Sequence, residues 1–165
     1  MSSFILDTNI IIDAFSANIL HCLKFSGFMV SQVVFQEEVI KQISVCNNDL
    51  NLINESFDEL VSANNYHENN KHISFYDALN FTIAKQRKWT LVTGDQNLVK
   101  FANKNDVNCI GTLKLIEILV DRKLVGIEES INALTKLKQD VTRRIPHHLI
   151  DIMIKKLEDM LVLAK

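Results

Sequence analysis

The feature that most constrains this chain is a carboxylate placed between two apolar runs near its start. Asp7 sits in Phe4-Ile5-Leu6-Asp7-Thr8-Asn9-Ile10-Ile11-Ile12, and no Lys or Arg lies within a dozen residues on either side. A buried carboxylate without a partner costs several kcal/mol or takes up a proton. Asp7 therefore calls for a partner that its own segment does not supply.

The surroundings are those of an ordinary soluble core. With 165 residues, 47% hydrophobic and 23% charged, the chain reads as one domain over 1–165 with a sizeable interior. No apolar run reaches the ~18 residues of a membrane span, and no basic stretch with a long greasy segment opens the chain. These features point to a cytoplasmic protein with no membrane association. Cys22, Cys46 and Cys109 are odd in number and widely spaced, which argues for reduced core thiols over a disulfide framework or zinc site.

In chain order, Phe4-Ile5-Leu6 reads as a buried strand with Asp7 at its carboxyl end, and Phe28-Met29-Val30 as a second strand. Gln32 to about Val45 carries a helical pattern in which Glu37 lies nearer the apolar face than Glu38. From Cys46 to Asn70 the pattern predicts a helix near Leu52–Leu60, a short strand around Leu60–Ser62 and a surface loop at Asn64–Asn70. A greasy helix follows from Ser74 to about Lys88, then a strand at Trp89–Thr93, a turn at Gly94-Asp95 and a helix from Gln96. Val107–Ile110 reads as one more strand. Alternation of this kind, with short connections, predicts an α/β fold: helices on both faces of a central parallel sheet of four or five strands. The rest, about 112–165, reads as a helical C-terminal extension, with Pro146 in the first turn of a last amphipathic helix.

Four acids stand out by position: Asp7, Glu37, Asp77 and Asp95. In an open parallel sheet the carboxyl ends of the strands share one edge, where ligands bind, and these acids gather there. Each has an ordinary alternative. Asp77 closes a capping box with Ser74, Asp95 caps the helix after it, and Glu37 pairs with Lys41. Together they repel, by ~4 kcal/mol for two charges ~4 Å apart at an effective dielectric of 20. A cation relieves this, and oxygen ligands without His or Cys favour Mg²⁺ or Mn²⁺.

The pieces Ile5-Leu6-Asp7-Thr8-Asn9, Ser31-x-Val33-x-x-x-Glu37, Ser74-x-x-Asp77-Ala78-Leu79 with Ile83-Ala84-Lys85, and Leu91-Val92-Thr93-Gly94-Asp95-x-x-Leu98 resemble, in order and spacing, the motifs of PIN-domain nucleases, including VapC-type toxins. The resemblance covers Phe4 to Ile110 and implies a three-layer α/β/α PIN-like fold. It implies a Mg²⁺- or Mn²⁺-dependent endoribonuclease in which Asp7, Glu37, Asp77 and Asp95 bind the metal, with Glu38 the neighbouring alternative to Glu37. Asn9, Thr93 and Asn97 match supporting polar positions. A toxin implies an antitoxin partner.

The local basic excess of Lys136, Lys138, Arg143 and Arg144 is a candidate RNA surface, and the apolar stripe of the last helix a candidate homodimer or antitoxin surface. A DNA-directed nuclease on the same fold and a non-catalytic binding module are the alternatives. The five histidines show no metal-ligand spacing, and no Gly-rich phosphate loop or nucleophile elbow is present.

Overall fold

Short apolar strands, each followed by a helix, set the architecture. A computed structural model describes residues 3–163 apart from Ser26 and Arg144. Its sheet has five strands in the order β3-β2-β1-β4-β5: β1 (Phe4–Leu6), β2 (Phe28–Ser31), β3 (Leu52–Ile53), β4 (Thr90–Val92) and β5 (Cys109–Ile110). All pairings are parallel, with Phe4 opposite Phe28 and Thr90, and Leu6 opposite Val92. Helices flank the sheet, giving the three-layer α/β/α arrangement.

The topology decides where a ligand can bind. The chain builds outward from β1 to β3 on one side, then crosses back to place β4 and β5 on the other. The turn of direction lies between β1 and β4, and the crevice beyond their carboxyl ends is the place where such sheets open. Asp7 follows β1 directly and Asp95 lies three residues past β4. β1 is buried throughout, as expected of a central parallel strand.

Eight α-helices are described. They are α1 (Thr8–Ser16), α2 (Gln32–Val34), α3 (Phe57–Asn69), α4 (Phe75–Arg87), α5 (Gln96–Lys104), α6 (Thr112–Asp121), α7 (Ile127–Gln139) and α8 (His147–Leu163). Residues Ala78–Ala84 of α4 are all buried, which accounts for the helix being apolar almost all round. Pro146 stands just before α8, its carbonyl accepting from Leu149 and Ile150. No helix of the described residues is long and apolar enough to cross a membrane.

Three expectations are corrected between Val33 and Asn70. Leu52–Ile53 is an edge strand, and the helix begins only at Phe57, where Ser56 and Glu59 form a reciprocal capping box. That helix takes in the residues read as a strand at Leu60–Ser62 and as a loop from Asn64. Glu59 is what the pattern reading overlooked: buried, it receives Arg87 through Nε at 2.7 Å and Nη2 at 2.8 Å, which ties α3 to α4. Third, α2 runs into a π turn over Phe35–Val39, with Ile40 N–H donating to Phe35 O at 3.1 Å. The wider turn shifts the helical phase, so Val34, Phe35 and Val39 face inward, Ile40 and Glu37 are exposed, and Glu38 is half-buried.

Of the cysteines, none of which is in a disulfide, Cys22 is buried and Cys109 half-buried, but Cys46 is exposed, since its 3₁₀ turn lies at the surface.

Candidate metal centre

Asp7 is the hub of the crevice. It is 4% exposed, and donors converge on its carboxylate from three elements. Thr8 N–H reaches Oδ1 at 2.7 Å, Asn9 Nδ2 reaches Oδ2 at 2.8 Å, and Thr93 Oγ1, just past β4, reaches Oδ2 at 2.7 Å. Asn80 Nδ2, on α4, stands 3.5 Å from Oδ1. No cationic side chain pairs with it among the described residues. Burial accordingly pushes the Asp7 carboxyl up to about 7, against the Thr93 and Thr8 hydrogen bonds, and the charges of Asp77 and Glu38 push the same way.

Asn9 and Thr93 hold the rim together. Asn9 Oδ1 accepts Gly94 N–H at 3.2 Å while its amide donates to Asp7. Thr93 Oγ1 donates to Asp7 and accepts Asp95 N–H at 3.1 Å. Asp95 caps α5, its Oδ1 accepting Asn97 and Leu98 N–H, each at 2.8 Å. Asp77 and Ser74 form the capping box at the start of α4. The ordinary roles of Asp77 and Asp95 are thus real, and each occupies one oxygen of its carboxylate.

Glu37 and Glu38 part company. Glu37 pairs with Lys41 at 2.8 Å on the surface, whereas Glu38 Oε2 accepts Thr8 Oγ1 at 2.6 Å. The π turn therefore delivers Glu38, rather than the predicted Glu37, to the Asp7 side.

The arrangement fits a hard divalent cation. Asp7 is a desolvated carboxylate held by neutral donors, and Asn80 Oδ1 is buried with no hydrogen-bond partner, an unmet acceptor one contact from Asp7. The donors are oxygens only. Among the described residues no three of these acids bring ligand atoms within 4.8 Å of one another; the three side chains that do are His21, Cys22 and Glu129, which offer nitrogen, sulfur and oxygen. It joins the 3₁₀ turn at Leu20–Lys24 to α7, with His21 Nε2 at 3.4 Å from both Cys22 Sγ and Glu129 Oε1.

A second carboxylate, missed by sequence reasoning, borders the crevice. Asp13 is buried on α1, accepts Thr112 Oγ1 at 2.6 Å and pairs with Arg143 at 3.3 Å. Desolvation raises its carboxyl despite these partners. With Asn9, Gly94, Asp95 and Asn97, this pair lines a cleft of about 410 Å³. Spacing offered one signal: Asp13 lies among Ile10, Ile11 and Ala14, the apolar buried residues of α1.

The basic stretch reads differently in space. Arg143 is engaged by Asp13 and Asp140, and Lys138 by Asp151 at 2.5 Å. Lys136 is exposed, and Arg144 lies outside the described residues.

Comparison with curated proteins and with solved structures finds no match. A family model described as a PIN domain matches residues 3–159, a span that takes in α6, α7 and most of α8 as well as every motif around Asp7. The chain belongs to the PIN-domain family, whose members are generally nucleases.

Proposed function

We propose that this protein is a Mg²⁺- or Mn²⁺-dependent endoribonuclease whose metal is held by Asp7, Asp77, Asp95 and Glu38. The observation that carries the reading is Asp7: a buried carboxylate, surrounded by oriented donors and without a cationic side chain among the described residues, at the switch point of a parallel sheet. Burial disfavours the anion, and a cation from solution would offset that cost. When bound, the ion supplies Lewis acidity toward water and phosphate.

The chain's own residues position that chemistry. Thr93 and Asn9 fix both the Asp7 carboxylate and the Gly94-Asp95 turn, so the two strand ends keep one geometry. Thr8 does the same between Asp7 and Glu38, through its N–H and its hydroxyl. The free face of Asp95 and the side chain of Asn97 border the cleft where a phosphodiester would lie.

A toxin restrained by an antitoxin, or a homodimer, extends this reading. Its support is the apolar face of α8, where Leu149, Ile152 and Met160 are exposed beside a groove of about 290 Å³ against α6. Cleavage assays with matched RNA and DNA oligonucleotides in Mn²⁺ buffer test the core reading. RNA cleavage that Asp7→Asn and Asp95→Asn abolish is the expected result. Cleavage undiminished in both variants overturns it, and preference for DNA moves the substrate.

A further inference from the structure

Lys100 and Lys104 follow Asp95 on α5 and differ from the lysines of the basic stretch. Asp95 caps this helix, and Asn97, Lys100, Phe101 and Lys104 recur at i, i+3, i+4 and i+7, which places them on one face. Lys100 and Lys104 are exposed, α5 contains no acid, and neither lysine joins an ion pair among the described residues. Lys138, Arg143 and Lys156, by contrast, are each held by a carboxylate.

These residues, with Tyr66 and His72, line a recess of about 360 Å³. Asn97 also lines the Asp95 cleft, so the two depressions share a wall. No acid lines the recess, and the helix ends beside it are closed by asparagine amides: Asn70 Nδ2 donates to Tyr66 O and Asn105 Nδ2 to Phe101 O, each at 2.8 Å. The half-buried ring of Tyr66 stands edge-on to the buried Phe101 with centroids 5.9 Å apart, so one aromatic ring forms part of the recess wall, with Lys85 Nζ 5.5 Å from its centroid.

We propose that this recess is a track for single-stranded RNA leading from the acids, with Lys100 and Lys104 each neutralising a phosphate and Tyr66 and His72 receiving an unpaired base. The proposal rests on the ribonuclease reading above. Along the helix axis the two lysines are about 6 Å apart, close to the interval between successive phosphates of an extended strand. A concave basic site with an aromatic side chain in its wall suits a strand whose bases are unstacked. A duplex keeps its bases inside and cannot fill it.

The test is fluorescence anisotropy of a labelled single-stranded RNA oligonucleotide in EDTA, so that binding is read without cleavage. Lys100→Ala with Lys104→Ala is expected to weaken binding about tenfold or more and to reduce the salt slope by about 1.4, the value for two phosphate contacts on a single strand. Lys24→Ala with Lys155→Ala, which removes equal charge elsewhere, should change little, and Lys100→Arg with Lys104→Arg should retain affinity. Matching thermal melts establish that the variants are folded.

Equal weakening by the two alanine pairs, equal affinity for duplex, competition by polyglutamate as strong as by RNA, or no binding by the native protein each overturns the track. Because the readout needs no metal, loss of the cleavage reading alone leaves these binding results as they are, and loss of the track leaves the cleavage assay as it is.

Discussion

Thr93 donates its hydroxyl to Asp7 at 2.7 Å and takes the backbone N–H of Asp95 at 3.1 Å on the same oxygen. One side chain thereby favours the charged form of the buried acid against its burial and holds the backbone of the exposed one. A hydrogen bond to a charged group is worth about 1.5–3 kcal/mol. Thr93→Val, which keeps shape and removes the bond, should lower cleavage at neutral pH by about tenfold or more and move the acid limb of the pH–rate profile upward. Thr93→Ser should restore both. A Val profile superimposable on that of the native protein would deny Thr93 this role.

Stability without metal should depend on pH through Asp7. The folded carboxyl keeps its proton to about 7, whereas in the unfolded chain it ionises near its ordinary value of 3.8. The folded state binds the extra proton between these values, so this group's contribution is full below about pH 4, falls as pH rises toward 7, and is flat above. The shift corresponds to something on the order of 4 kcal/mol. Thermal melts in EDTA should therefore fall over this range, and added Mg²⁺ or Mn²⁺ should stabilise more at pH 8 than at pH 5. Asp7→Asn should flatten the dependence; equal metal stabilisation at both values would count against Asp7 as a ligand.

Glu38→Ala should reduce cleavage by about tenfold or more, because Glu38 is the acid that meets Thr8 beside Asp7. Glu37→Ala removes only an exposed pair with Lys41, worth about 0.5 kcal/mol or less, and should leave cleavage and melting temperature unchanged. Parallel rate measurements on the two variants decide between adjacent residues.

Arg143→Ala should destabilise the fold. It leaves Asp13 buried beside Thr112 with no cation, a loss of about 3 kcal/mol, or roughly 6–12 °C in melting temperature for a chain of this size. Asp13→Asn keeps the Thr112 contact and should cost less. A fall in RNA affinity with unchanged stability would instead favour a phosphate-binding role for Arg143.

Much of this was readable from residue patterns because the relevant physics is local. Strand β1 is an unbroken apolar run and β2 and β4 are mostly apolar, and Asp7 and Asp95 stand just past the ends of β1 and β4. What was unreadable depends on departures from regular geometry or on contacts across the chain. A helical wheel assumes an even 100° step, and the π turn at Phe35–Val39 breaks it, exchanging Glu37 for Glu38. The polar stretch before Asn70 looked like loop because Asn and Asp dominate it, yet the Ser56–Glu59 box and the Glu59–Arg87 pair hold it as helix. Asn80 showed only as a polar interruption in a greasy helix, and its contact with Asp7 spans 73 positions. The partners of Lys138 and Arg143 were unreadable for the same reason, since charge counting cannot see that Asp151 and Asp13 meet them in space.

The Asp13–Arg143 pair has a practical consequence for anyone trimming this protein. Residues beyond Gly111 supply both partners of a carboxylate set on the first helix, Thr112 from one side and Arg143 from the other. A fragment cut to the motif-bearing portion alone would keep all the candidate metal ligands and still leave a naked anion in its interior, and should be recovered as aggregate rather than as a small active nuclease.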